Sequence, residues 1–232
     1  MQKKRINEQF QKKIIKEAFY HLKNDEVMRY LIKNLASKLD WTNRYDDDYA
    51  LSISNLIIEQ QISFRAAITI KKRFQNLVKN LDYKQILNLE NDKIQKIGLS
   101  FRKVEYIKNT YMFFLKNSLK FENLSNDEAI NELTKIKGIG EWTAQMFLIF
   151  NFFRQDIFSK KDLALLNSIK KNYSIQDLTP KRLDYLIKKW KPFNSIASLL
   201  LWESVERGIF FEKKAKNPKK ISDMILKKKK DK

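Results

Sequence analysis

A short turn with two glycines is the stretch of this sequence best suited to bind a ligand through its backbone. Ile136-Lys137-Gly138-Ile139-Gly140 separates one helical segment from an apolar helical segment that begins at about Glu141. Glycines adopt backbone conformations closed to other residues and let another backbone approach closely. The first N–H groups of the second helix lack partners within it and point into the turn, which favours a bound phosphate. If the phosphate belongs to a nucleic acid, such a contact does not depend on the base sequence.

The segments around the turn are predicted to hold it between two helices. Ser125 and Glu128 fit a capping box, so the preceding helix begins at about residue 126. The apolar helix after the turn is expected to end near Phe153. Asp162 opens a further helix, and because Asp is a common N-cap, it could be only a helix cap.

The chain is predicted to be all-α. It has four Gly and three Pro, and its apolar residues recur with a period close to 3.6 almost throughout. One of the predicted helices runs from Glu26 to Leu39. Residues 1–212 are expected to form the folded core, either one domain or two small lobes that share a core, and residues 213–232 a basic tail.

The composition favours a polyanionic partner. The formal charge is +20 on 232 residues, and clustered Lys and Arg neutralise phosphates and release counterions. Part of this charge could instead reflect the codon bias of an AT-rich genome, since Lys, Asn and Ile are abundant. There is no Cys and a single His, His21, which excludes disulfides, iron–sulfur clusters and Cys- or His-ligated metal sites. We expect a monomeric protein of the bacterial cytosol and nucleoid, without a membrane-spanning segment.

Four motifs in order resemble the helix-hairpin-helix DNA glycosylase superfamily (HhH-GPD), over roughly residues 47–207. The hairpin at 132–150 is the third of them along the chain, and the other three are IIEQQIS at 57–63, GLSFRKVEYI at 98–107 and WKPFNSIASLLLW at 190–202. The last two resemble the branch represented by bacterial DNA-3-methyladenine glycosylase II. Glu59 stands where the family usually has Gly, Asn194 where it usually has Arg, and Ser159-Lys160-Lys161 where a Gly or Pro usually precedes the aspartate. The resemblance implies a two-lobed helical fold without the β-lobe that some relatives add.

The same resemblance implies the chemistry. Asp162 matches the family's catalytic aspartate, which would stabilise positive charge on deoxyribose while the N-glycosidic bond is hydrolysed. Asp156 is the competing carboxylate. Family members that also cleave the strand place a Lys two residues after the second hairpin Gly, where this chain has Trp142. A monofunctional glycosylase without lyase activity is therefore expected.

The resemblance also implies how damaged double-stranded DNA would be held. Lys137, Gly138, Ile139, Gly140 and Thr143 would bind the backbone. Gln61, with Gln60 beside it, would fill the gap left by the flipped base, although polar residues at a helix end have simpler explanations. Aromatic side chains attract a cationic alkylated purine, and the base pocket would consist of Trp202, Trp142 and Met146. Trp190, Phe193 and Phe147 are interpreted as core residues.

No cofactor is expected to be required. The resemblance implies a structural K⁺ or Na⁺ held in the hairpin by the backbone carbonyls of Lys137 and Ile139. The leading hypothesis is excision of alkylated purines such as 3-methyladenine. Two alternatives remain open: a glycosylase for oxidised or deaminated bases, and a noncatalytic hairpin protein that binds DNA.

Overall fold

All regular structure in the computed structural model, which describes residues 2–42 and 44–212, is helical. No β-strand occurs within these two ranges, so the all-α prediction without a β-lobe is confirmed. The predicted basic tail, 213–232, lies outside the described residues. None of the described helices combines the length and the hydropathy needed to cross a membrane. The α-helices are α1 Gln2–Leu22, α2 Glu26–Leu35, α3 Tyr49–Glu59, α4 Phe64–Val78, α5 Tyr83–Asn88, α6 Asn91–Gln95, α7 Phe101–Lys116, α8 Asn126–Thr134, α9 Glu141–Asn151, α10 Leu163–Asn172, α11 Pro180–Trp190 and α12 Asn194–Glu206.

Side-chain caps fix where many of these helices begin. Ser63 accepts a hydrogen bond from the third N–H of α4 and Ser100 does so for α7, which satisfies donors that a helix start leaves unpaired. The predicted capping box at Ser125 and Glu128 is present, with both reciprocal hydrogen bonds. Pro180 occupies the first turn of α11, where its missing N–H costs nothing.

The helices pack in two groups that share one core. Helices α3 to α9 contact one another, and α1 and α2 pack with α10, α11 and α12. Trp41 joins the groups: it is 2% exposed and its indole Nε1 donates to the carbonyl of Ile149 in α9 at 2.9 Å. Trp190 and Phe147 are fully buried and Phe193 is partly buried against the core. Two lobes with a continuous interior therefore flank a cleft.

One predicted helix is too long. The helix expected over Glu26–Leu39 ends at Leu35, and a 3₁₀ turn follows over Ala36–Lys38. The apolar periodicity continues through Leu39, but the last carbonyls of α2 are satisfied by the tighter i→i+3 bonding typical of helix ends. This early end directs the chain across the mouth of the cleft, where Asp40 and Arg44 lie.

Candidate active site

Asp162 is held at the start of α10 by two hydrogen bonds. One carboxylate oxygen, Oδ1, accepts from the backbone N–H of Leu165 at 2.9 Å, so the residue does cap the helix. The other, Oδ2, accepts from the indole Nε1–H of Trp142 at 2.8 Å. The side chain is 9% exposed. Both contacts hold the carboxylate in a fixed orientation, because a charged acceptor forms strong hydrogen bonds.

A cavity of about 350 Å³ opens between the two lobes in front of Asp162. Trp142 and Met146 come from α9, and Trp202 comes from α12. The rings of Phe150 and Trp202 are stacked, with 6.4 Å between centroids and 26° between planes. Met146 is fully buried, so it backs the wall and contributes little open surface. The cleft therefore has a flat aromatic wall near one buried carboxylate.

The cavity is acidic although the chain is strongly basic. Four of its lining residues carry carboxylates and one carries a guanidinium, against a net charge of +20 for the whole chain. Clefts lined by one sign of charge concentrate ligands of the opposite sign. The arrangement thus favours a cationic guest inside a protein whose remaining surface favours an anionic partner. The charged lining residues are Asp40, Arg44, Asp162, Glu203 and Glu206.

The Gly-Ile-Gly turn joins α8 to α9 and leaves the first N–H groups of α9 uncapped. Gly138 has φ +102°, and a Cβ placed there would lie 2.1 Å from Cγ of Tyr106. Gly140 is the N-cap of α9 and makes no side-chain capping bond, and a Cβ added to it would meet nothing within 4 Å. The buried side chains of Ile136 and Ile139 anchor the turn. Its outer face presents backbone donors in the arrangement typical of phosphate sites.

Lys137 lies on the outer face of the same turn. Its side chain is 70% exposed, and its ammonium contacts Glu105 Oε1 at 2.6 Å, which raises the pKa of Lys137. Its carbonyl accepts a long hydrogen bond, 3.4 Å, from the Asn109 amide. Backbone carbonyl oxygens are ligands that suit K⁺ and Na⁺, so the carbonyls of Lys137 and Ile139 are of the right chemical type for the cation that the resemblance implies. Within the described ranges there is no cluster of three or more acidic, His or Cys side chains suited to a metal.

The loop between α3 and α4 carries an exposed glutamine in a left-handed conformation. Gln61 has φ +56°, uncommon for a residue other than Gly. Lys103 from α7 fixes the loop, since its Nζ donates to the carbonyls of Ile58 at 2.8 Å and Gln60 at 2.6 Å. Burial lowers the pKa of Lys103. The side chain of Gln61 is thus presented outward from a loop with a fixed backbone.

Comparison with known families decides what this arrangement belongs to. The family model described as "HhH-GPD superfamily base excision DNA repair protein" matches residues 55–193, more than half of the chain. The chain belongs to the HhH-GPD superfamily. The matched region runs from α3 to the start of α12, and therefore includes the loop, the hairpin and Asp162.

Several relatives of this HhH-GPD chain carry related names. It is 34% identical over 175 residues to a DNA-3-methyladenine glycosylase of Saccharomyces cerevisiae, covering 70% of this chain and 57% of that protein. It is 30% identical over 170 residues to the putative DNA-3-methyladenine glycosylase YfjP of Bacillus subtilis, covering 65% and 56%. The aligned region thus spans little more than half the length of these curated relatives.

A solved structure agrees with the fold. The Schizosaccharomyces pombe 3-methyladenine DNA glycosylase Mag1, in complex with abasic DNA, superposes with a TM-score of 0.75 at 26% identity. The match covers 82% of this chain and 97% of that one. The two-lobed helical HhH-GPD fold predicted from the sequence is therefore confirmed.

The structure separates the two candidate carboxylates. Asp162 faces the aromatic cavity, whereas Asp156 lines a different depression together with Pro192. Asp156 accepts a hydrogen bond from Asn194 and lies 3.6 Å from Lys191 Nζ. These contacts give Asp156 a structural role in joining the segment before α10 to the start of α12, and they leave Asp162 as the carboxylate of the cleft.

Two residues predicted to touch DNA point inward instead. The side chain of Gln60 is partly buried and its amide donates to Thr143 Oγ1 at 3.0 Å. Thr143 is 2% exposed, so only its backbone N–H at the start of α9 can serve a phosphate. The pair ties the Gln61 loop to the hairpin helix, because the buried hydroxyl of Thr143 and the partly buried amide of Gln60 satisfy each other. We therefore restrict the wedge proposal to Gln61.

Sequence reasoning missed the contribution of the segment before α3 to the cleft. Asp40 and Arg44 have no motif spacing, and only the tertiary fold brings them to the cavity. Glu203 and Glu206 lie in the helix that carries Trp202, and the position of Glu206 four residues after Trp202 could have signalled a shared face. The signal for Arg44 was indirect: Glu59, where the family usually has Gly, pairs with it at 3.3 Å.

Replacing Lys103 by Met is expected to destabilise the Gln61 loop. The carbonyls of Ile58 and Gln60 would lose their charged donor, and an unpaired buried acceptor costs about 1–3 kcal/mol. Urea unfolding would show a lower midpoint, and limited proteolysis would show earlier cleavage near residue 61. Lys103→Arg, which keeps a charged donor, should retain most of the stability. Equal midpoints for wild type and Lys103→Met would refute this role.

Proposed function

We propose that this protein is a base-excision repair glycosylase that flips alkylated purines such as 3-methyladenine out of double-stranded DNA and hydrolyses their N-glycosidic bonds. The observation that carries the proposal is the placement of Asp162: a buried, doubly hydrogen-bonded carboxylate at the rim of an aromatic, acidic cavity. The names of the relatives support the same substrate class. Action in the bacterial cytosol and nucleoid is part of the proposal.

The carboxylate suits the charge that develops during this reaction. As the base leaves, the deoxyribose becomes cation-like, and Asp162 provides a fixed negative charge beside it. Its hydrogen bonds to Leu165 and Trp142 hold it in place, so little reorganisation is needed in the transition state. The carboxylate then orients the water that attacks the sugar. Alkylated purines already have weakened bonds to the sugar, so a general acid for the base is not required.

The cavity suits the base itself. Trp202, stacked with Phe150, offers a flat face to a purine ring. A cationic alkylated purine gains cation–π attraction from the indole and further attraction from the acidic lining. A neutral, undamaged purine gains only stacking. Discrimination therefore rests on the positive charge of the damaged base.

The DNA would be held by the hairpin and entered by the loop. The uncapped N–H groups at the start of α9 would bind a phosphate, with Gly140 allowing close approach. Lys137 would exchange Glu105 for a second phosphate. Gln61 would fill the gap left by the flipped base. The carbonyls of Lys137 and Ile139 would hold a K⁺ or Na⁺ that offsets charge on the bound strand.

We further propose that the enzyme is monofunctional. Trp142 occupies the position where bifunctional family members have Lys, and an indole cannot form a Schiff base with the sugar. Incubation with damaged duplex in the presence of borohydride should therefore trap no covalent enzyme–DNA adduct, and the product should be an intact strand with an abasic site. A trapped adduct would refute monofunctionality and leave base excision itself unaffected.

A panel of duplexes tests the function against its alternatives. Each duplex carries one methylated, oxidised or deaminated base, and alkali treatment reveals abasic sites as strand breaks. We expect breaks with methylated purines. Breaks confined to oxidised or deaminated bases would instead support the alternative of a glycosylase for those bases. Binding to abasic DNA without breaks in any duplex would support the noncatalytic alternative.

A further inference from the structure

Arg44 is a cationic side chain in the wall of an otherwise acidic cavity. It lines the cleft in front of Asp162 and also a neighbouring depression of about 490 Å³ beside α3 and α4, so it separates the two. Its guanidinium carbon lies 5.0 Å from the centroid of the Phe150 ring. Phe150 is also stacked with Trp202, so the guanidinium and the indole both pack against the same phenyl ring in the wall of the cavity.

The guanidinium is held in place but keeps its hydrogen-bond donors. Its Nη2 lies 3.3 Å from Glu59 Oε2, and Lys71 Nζ lies 2.5 Å from the other oxygen of Glu59. Among the described residues no hydrogen bond from Arg44 is formed, the contact with Glu59 being an ion pair only. A guanidinium carries five N–H donors in a rigid plane. Arg44 can therefore donate to a guest in the cavity.

We propose that Arg44 is a specificity residue that donates a hydrogen bond to the 6-oxo group of a flipped purine. This inference rests on the proposed glycosylase function. The other charged groups of the lining are carboxylates, which accept hydrogen bonds. Of its two indole N–H donors, that of Trp142 is used by Asp162, and that of Trp202 is a neutral donor on the aromatic wall, so Arg44 is the charged donor of the lining. A 6-oxopurine presents an acceptor at the position where a 6-aminopurine presents a donor. Arg44 favours the former, and the carboxylates accept from the latter.

Glu59 makes the presence of Arg44 compatible with cationic bases. Its side chain is 15% exposed and pairs with both Arg44 and Lys71, so it offsets part of the positive charge at the wall that faces the guest. It is also the last residue of α3, directly before the Gln60–Gln61 loop. Glu59 thus connects two parts of the site. Its carboxylate orients the guanidinium of Arg44, and its backbone leads into the loop whose Gln61 would fill the gap left by the flipped base.

Methylated DNA provides an internally controlled test, since it contains both 3-methyladenine, a 6-aminopurine, and 7-methylguanine, a 6-oxopurine. The full chain is incubated with this DNA, and both free bases are quantified in the same sample by chromatography. A folding defect lowers both bases together, so the ratio of 7-methylguanine to 3-methyladenine reports recognition. For Arg44→Met we expect this ratio to fall about tenfold, the effect of one charge-assisted hydrogen bond.

Two further variants complete the design. Arg44→Lys retains a donor and should restore part of the ratio. Lys71 is the other partner of Glu59 and lines only the neighbouring depression. Lys71→Met should therefore leave the ratio of 7-methylguanine to 3-methyladenine at its wild-type value.

The possible outcomes separate the two proposals. An unchanged ratio in Arg44→Met, with both bases released by wild type, overturns the role of Arg44 and leaves the glycosylase function intact. An equal fall of the ratio in Lys71→Met also overturns it, because general electrostatics would then account for the effect. Release of neither base by wild type overturns both proposals.

Discussion

Asp162→Asn is expected to lower the single-turnover rate of base release by about 10²–10³-fold or more, as for loss of other preorganised transition-state charges. The fold should survive, because Asn caps helices about as well as Asp and keeps an oxygen for the Leu165 N–H. Binding to abasic DNA should also survive, since the hairpin and the Gln61 loop are unchanged. The measurements are the rate of base release and the dissociation constant for an abasic duplex.

Asp156→Asn is the matched control for this change. It is the same substitution 6 residues earlier in the chain, at a carboxylate that faces a different depression and contacts Asn194. We expect its rate of base release to stay within a few-fold of wild type. A rate for Asp162→Asn that is equal to the wild-type rate would contradict the mechanism, whereas loss of release in both variants would point to a general electrostatic or folding effect.

Gly138→Ala is expected to have the largest effect on stability. The added Cβ would lie 2.1 Å from Tyr106 Cγ, and φ is +102°. Backbone strain of about 1–3 kcal/mol and overpacking of about 1–3 kcal/mol together predict a loss of roughly 2–6 kcal/mol in the free energy of unfolding. That loss is a large share of typical domain stability. Urea denaturation followed by tryptophan fluorescence measures it.

Gly140→Ala is the control within the same turn. Its φ is −92° and a Cβ there meets nothing within 4 Å, so its unfolding midpoint should stay close to wild type. Its affinity for abasic DNA should nevertheless fall, because the added methyl group projects where the DNA backbone would approach. The double variant Gly138→Ala/Tyr106→Ala removes the clashing ring, so it should recover part of the stability lost in Gly138→Ala alone. Equal midpoints for Gly138→Ala and wild type would contradict the steric account.

Local signals made the fold readable from the sequence. Ser125 with Glu128, and Thr179 before Pro180, place helix starts through hydrogen bonds that involve only near neighbours in the chain. The end of α2 was misjudged because apolar periodicity continues through Leu39, while the actual end depends on how the last carbonyls are satisfied. Propensity and period describe one element at a time, and they do not describe what the next segment packs against.

The site was readable only in part for the same reason. Asp162, Trp142 and Trp202 belong to motifs with fixed spacing, and the structure brings all three to one cavity. Gln60 looked equivalent to Gln61, yet its amide is bonded to Thr143, 83 residues away in the chain. Arg44 is held in the cavity wall by an ion pair with Glu59, and no local sequence pattern predicts this pair. Contacts between distant segments decide which polar residues face a ligand.

The most direct test of the proposed function is the release of free base from methylated duplex DNA by the full chain, measured by chromatography beside Asp162→Asn. The account predicts that wild type releases 3-methyladenine and leaves intact strands with alkali-sensitive abasic sites, and that Asp162→Asn releases almost none. Wild-type protein that binds the duplex but releases no methylated base would contradict it.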